Sequence, residues 1–231
     1  CVGHGSGKLM PGVSKDALKE HASTIEEARA DLFGLYYLAD PKLVELGLLP
    51  NEEAFKAGYY QQMMNGAMTQ LVRIEPGKDV EEAHMRNRQL IANWVLAHVT
   101  PENPEVEIIE RDGKHYLRVN DYQGLRRLYG ELLAEIQRIT SEGDYAAAKE
   151  MVESYAVKVN QELHNEILAR YEKLNLAPYK GFVNPVYTAI RDAEGNITDV
   201  TIIQIAVSKL TSKNVFENQP APWIISAKAG V

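Results

Sequence analysis

The sequence predicts a mainly α protein, a helical body followed by a β-rich tail. Three observations carry that prediction. Apolar residues recur at helical spacing in segment after segment up to about Tyr179. These segments are punctuated by capping residues at their starts and by Pro and Gly at their ends. Beyond Pro178 the texture changes, and two runs rich in β-branched residues bracket Ala193-Glu194-Gly195-Asn196.

Residues 1–14, rich in glycine and polar side chains, read as a helix end running into a loop, and Ser14 to His21 as a short helix. Ser23 and Thr24 are suitable N-caps, since Ser23…Glu26 and Thr24…Glu27 both have capping-box spacing. Ile25, Ala28, Leu32, Leu35 and Tyr36 then mark a helix to about Ala39. Asp40-Pro41 starts a short helix that stops near Gly47 and Pro50. Asn51 opens a longer one to about Arg73, ended by Pro76-Gly77. Asp79-x-x-Glu82 is a further capping box, with a helix to about His98. Val106–Glu110 and His115–Val119 flank Asp112-Gly113, a hairpin signal. Helices follow at 121–141, 144–157 (capped by Asp144) and 159–174. Val183–Asp192 and Ile197–Val207 form a second hairpin, and the end of the chain, with Trp223, Ile224 and Ile225, reads as apolar and irregular.

With 231 residues the chain has room for a sizeable core. Its 45% hydrophobic and 25% charged content is that of a soluble globular protein, and no apolar run approaches the roughly 20 residues that span a bilayer. No membrane partner is expected. A net charge of −7 argues against a nucleic-acid surface, which needs clustered Lys and Arg. The one cysteine, Cys1, excludes an internal disulfide framework and suits a reducing, cytoplasmic setting.

Two stretches bear chemistry. In Thr24-Ile25-Glu26-Glu27-Ala28-Arg29-Ala30-Asp31, Glu27 and Asp31 are four apart and share a helix face, while Glu26 points about 100° away. Acids in a first turn are favoured by the helix dipole, so capping and solvation account for them. Their nearness to the stripe of Ala28, Leu32 and Leu35 points the other way, because a half-buried carboxylate needs a cation, a metal or several donors. The second stretch is Cys1-Val2-Gly3-His4-Gly5-Ser6-Gly7-Lys8-Leu9, whose histidine is either a loop residue or half of a metal-binding pair.

Together, in this order, the two stretches resemble the dipeptidyl-peptidase III family of zinc exopeptidases, which carries H-E-x-x-G-H followed by E-E-C-R-A-E/D. The match makes Cys1 the third residue of the first motif, Gly3 its glycine and His4 its second histidine. The first histidine and the catalytic glutamate are then expected ahead of residue 1. The resemblance implies Zn²⁺ as cofactor, His4 and Glu27 as two of its ligands, and Glu26 and Asp31 as acids that orient the ligating imidazoles. Ala28 stands where Cys is usual, and Asp31 shortens one of these arms. Ala83-His84-Met85-Arg86-Asn87-Arg88 resembles the family's A-H-M-x-x-R segment, which implies that His84 stabilises the transition state and that Arg88 contacts substrate. Lys180, in Lys180-Gly181-Phe182-Val183-Asn184-Pro185, takes the place of a lysine that holds the peptide's C-terminal carboxylate; Tyr179 stands where some members have arginine.

By the same resemblance, residues 1–179 belong to a helical zinc-binding lobe and residues 180–231 to a β-rich segment of a second lobe. The expected partners are short peptide substrates and an N-terminal lobe of the same polypeptide, without which the apolar tail would self-associate. Two of three ligands without a general base imply that these residues alone release no dipeptides. Two other readings stand beside this one. A helical scaffold domain of a lipoprotein would use a lipidated Cys1, and a different metal-dependent hydrolase would use His4, Glu27 and His84 with Glu26 as base.

Overall fold

The computed structural model describes residues 3–174, 186–204 and 223–226. The chain divides into two compact units, Cys1–Arg170 and Tyr171–Val231. It is mainly α, with one small hairpin in the helical body and a β-rich C-terminal part.

The helical body is built on α1 (Ala22–Leu38), α2 (Pro41–Glu45), α3 (Phe55–Ala67), α4 (Ala83–Ala97), α5 (Tyr122–Glu142), α6 (Tyr145–Val152) and α7 (Gln161–Leu174). The centre is α4, which packs against α1, α3, α5 and a π-helical turn at Glu153–Val157. Its position explains its composition, for Leu90, Ile91, Ala92, Trp94 and Val95 are buried around more than one face. Two of its amides are spent on the same neighbour: Gln89 Nε2 donates to the Lys158 carbonyl and Asn93 Nδ2 to that of Tyr155, both at 2.9 Å. In contrast, α5 is one-sided. Leu125, Leu128, Tyr129, Leu132, Ile136 and Ile139 form a wholly buried stripe at helical spacing. At about 1.5–3 kcal/mol for each large side chain removed from water, this stripe and its partners on α1 supply much of the drive to fold.

The hairpin pairs β1 (Val106–Arg111) with β2 (Lys114–Val119), Arg111 opposite Lys114. Asp112 and Gly113 turn between them with φ of 52° and 65°, the mirror-image turn that matches strand twist and that Asp-Gly adopts cheaply. In the C-terminal unit β3 (Val186–Arg191), β4 (Ile197–Gln204) and β5 (Trp223–Ser226) form an antiparallel sheet in that order. The third strand was not expected, because the short run Trp223-Ile224-Ile225-Ser226 just after Pro222 carries no alternation to mark it as paired. Among the described residues no helix is long and apolar enough to cross a membrane.

Several boundaries differ from the sequence reading. Neither Ser23 nor Thr24 caps α1. A 3-10 turn at Lys19–His21 runs directly into the helix, so both already have helical backbone, and Thr24 is buried within it. No helix spans Ser14 to His21 apart from that turn. Asp79 does not cap α4 either. Glu82, extended and immediately before the helix, accepts from the amides of His84 and Met85 at 2.9 Å. Asp79 pairs instead with Lys158 at 2.6 Å. The stretch read as one helix from Asn51 is α3 followed by a 3-10 turn at Thr69–Arg73. Asp144 caps α6 as expected, accepting from Ala147 N–H at 3.1 Å.

Candidate metal centre

Four predicted residues converge at the start of α1. His4 lies in a 3-10 turn (Gly3–Ser6) seated on α1; Glu26 and Glu27 are in that helix's second turn, and His84 is at the N-terminus of α4. The seat depends on glycine. A Cβ at Gly3 would lie 2.4 Å from the Ala30 carbonyl oxygen and one at Gly7 3.0 Å from the Arg29 guanidinium, so larger residues would lift the turn off the helix.

Within this group, His4 Nδ1 is 2.9 Å from Glu26 Oε1 and His4 Nε2 is 3.8 Å from Glu27 Oε2. His84 Nδ1 approaches the same Glu27 oxygen from α4 at 3.3 Å. A neutral His4 ring that donates from Nδ1 to Glu26, its shorter contact, would turn the Nε2 lone pair toward Glu27. Partial burial opposes ionisation of Glu26, but hydrogen bonds from Arg29 and His4 outweigh it and hold the carboxyl below its usual range. Arg29 is buried, and donates from Nε and Nη2 to the two Glu26 oxygens at 3.0 and 2.8 Å and from Nη2 to the His4 carbonyl at 3.1 Å.

Asp31, one turn beyond Glu27, is half-buried. Burial pushes its carboxyl above the ordinary value, more than the Arg88 charge and the neighbouring Asn87 amide lower it. Among the described residues the amide of Asn87, itself buried, closes no hydrogen bond within normal reach. Arg88 thus lies near enough to act on Asp31, one turn along α4 from His84. Lys180, Tyr179 and Cys1 fall outside the described residues.

The donor set suits zinc as far as it goes. Two donors at about 2.0–2.1 Å from a tetrahedral Zn²⁺ stand about 3.4 Å apart. The imidazole nitrogen of His4 and the Glu27 oxygen are 3.8 Å apart, with a carboxylate behind the ring, the usual support of a ligating histidine. No third protein donor completes a metal cluster among the described residues. His4, Glu26 and Arg29 also line a cleft of about 290 Å³, together with Leu18 and Thr140. A larger hollow, about 780 Å³, lies between α1 and α5 beside Phe33, Tyr36 and Tyr37. It holds none of the four converging groups. The sequence reading missed Arg29, although its i,i+3 spacing from Glu26 was the available signal.

Comparison with known proteins bears on this geometry. The model of peptidase family M49 matches residues 13–185. A solved structure of DPP III from Caldithrix abyssi is similar with a TM-score of 0.54 and 25% identity, over 74% of this chain and 30% of that one. Dipeptidyl-peptidase III from Corallococcus sp. strain EGB has a TM-score of 0.49 and 23% identity, over 68% of this chain and 26% of that one. This chain therefore spans about a third or less of the length of these solved structures. No curated protein matches it.

Proposed function

The chain belongs to peptidase family M49, the dipeptidyl-peptidase III family, and from that premise we propose that it supplies part of the zinc site of a peptidase releasing N-terminal dipeptides from short peptides. The observation that carries the reading is the His4–Glu27 pair with Glu26 behind the ring.

Here His4 would hold Zn²⁺ through Nε2 and Glu27 would hold it through its carboxylate, while Glu26 keeps the proton on His4 Nδ1. Zinc, when bound, supplies Lewis-acid polarisation of a carbonyl and makes water more acidic. His84 stands at the rim, more than half exposed, where its ring can donate to an oxyanion developing on substrate. Asp31 sets the electrostatic environment of Glu27 and His84, with Arg88 as its counter-charge. Arg88 and Lys180 are proposed to bind peptide, and a cytoplasmic setting is proposed with them. The first histidine ligand and the general base are read as lying ahead of residue 1, so that these 231 residues by themselves release no dipeptides.

The test joins His-Glu ahead of Cys1 and measures zinc by mass spectrometry and dipeptide release from a short peptide. Zinc should rise toward one per chain in the extended form and fall back on Glu27→Gln. No rise, or a rise that Glu27→Gln leaves intact, would overturn the assignment. Dipeptide release by the unextended chain would overturn the proposed location of the base.

A further inference from the structure

We propose that Arg29 is a positioning residue of this centre, fixing the His4 ring and the His4 main chain from one buried guanidinium; the inference rests on reading His4 as a metal ligand. A guanidinium withdrawn from water is costly unless its donors are matched. Arg29 is 1% exposed, so the matching has to be supplied by the site. It is supplied by the parts that carry the histidine. Nε and Nη2 span both oxygens of Glu26, and Nη2 also reaches the His4 carbonyl.

The geometry closes a loop. Glu26 Oε1 receives Arg29 on one side and His4 Nδ1 on the other, at 2.8 and 2.9 Å. From the same guanidinium a second bond runs to the backbone of His4 at 3.1 Å. Ring and main chain of one residue are therefore tied to a single rigid, planar group. Glu26 alone is 39% exposed and would swing among rotamers; held at both oxygens, it can present one of them to Nδ1 in a fixed direction. Packing gives an independent argument. The Gly7 backbone lies on the guanidinium, where a Cβ would come within 3.0 Å of its carbon and of Nη2. Arg29 is thus enclosed between α1 and the glycine-rich turn, and the turn cannot shift without breaking its bonds. Lysine, a point charge on a flexible stem, cannot span two carboxylate oxygens and a carbonyl together.

The experiment uses the whole chain. Long-range ¹H–¹⁵N spectra of His4 should show one tautomer, protonated at Nδ1, in the unsubstituted protein. Arg29→Met should give averaged tautomers while circular dichroism shows the helices intact, and in the form extended by His-Glu ahead of Cys1 its zinc affinity, with zinc alone as probe, should fall about 10–100-fold. Arg29→Lys should fall between the two. An unchanged ring spectrum in folded Arg29→Met overturns the proposal. The guanidinium of the unsubstituted chain decides it even if neither variant folds: separate, slowly exchanging Nη–H signals support it, and one averaged signal overturns it. If the form extended by His-Glu ahead of Cys1 and its Glu27→Gln variant take up zinc equally weakly, the metal reading of the site fails, while the ring spectra still decide what Arg29 does.

Discussion

Two buried phenols at the α3–α5 contact show how much depends on a single partner atom. Tyr59 and Tyr129 pack edge to face, ring centroids 5.0 Å apart, and both are wholly buried. Tyr59 donates to the Leu35 carbonyl at 3.0 Å, whereas the Tyr129 hydroxyl has no partner among the described residues. Burial pushes both phenols above their usual range. An unmatched buried hydroxyl costs more than it returns. Tyr129→Phe should therefore stabilise the protein by up to about 1 kcal/mol, and Tyr59→Phe should destabilise it by about 1 kcal/mol. Urea unfolding of the two variants checks the opposite signs. At the candidate metal centre the same rule acts on charge. Arg29 is tolerated in the interior because Glu26 and the His4 carbonyl meet its donors, so the buried cation and the oriented histidine come as one unit.

Element by element, the close crossings decide which residues are replaceable. Gly66 of α3 meets α4 so closely that a Cβ would lie 2.1 Å from the Arg88 carbonyl oxygen and 2.7 Å from Cβ of Ala92. Neither neighbour is the free end of a flexible side chain. Gly66→Ala should cost about 2–4 kcal/mol, against the small gain expected from alanine's helix propensity at an open position. It should also move His84 and Arg88, because the two helices would have to separate. A thermal melt reads the first effect and the ring signals of His84 the second. At the start of α6 the cap is the weak point. Asp144 accepts from Ala147 N–H and takes Arg138 at 3.0 Å, which together hold its carboxyl below the ordinary range. Asp144→Ala should cost about 1 kcal/mol, seen as early loss of amide protection in α6.

For the molecule as a whole, acid is the sensitive direction. Burial works against ionisation of Glu166, but His115, through its ring and its backbone N–H, and Arg170 outweigh it and bring the carboxyl down to about 2. A folded-state pKa below the unfolded one stabilises the protein above the usual carboxylate range, near 4.5, and that stabilisation is lost as pH falls toward 2. Glu166 on α7 accepts from the ring and backbone N–H of His115 on β2, so its protonation weakens one of the ties between the hairpin and the helical body. Glu105, nearly buried and held by Thr100 and Arg127, titrates the same way at the other end of β1. Glu166→Gln should lower stability by about 2 kcal/mol near neutral pH and flatten its fall in acid. Melts followed from about pH 6 down to about pH 2.5 measure the flattening; parallel curves for the two proteins would refute the linkage.

The sequence by itself determined the mainly helical class, the order of the helices and the Asp112-Gly113 hairpin. These follow from short-range rules, apolar period and turn chemistry, whereas the candidate site residues come from the resemblance of their motifs to a known family. It did not determine where α1 and α4 begin. Ser23, Thr24 and Asp79 have capping chemistry, but a residue caps only if its backbone stays extended, and the preceding 3-10 turn and the Asp79–Lys158 pair decided otherwise. Nor did it show the third strand, which exists only through pairing with β4. Most of all, it could not say that Arg29 is internal. Solvent exposure of a charged side chain depends on what folds over it, and only the docking of the glycine-rich turn on α1 converts a helix-surface Glu-Arg spacing into the buried support of His4.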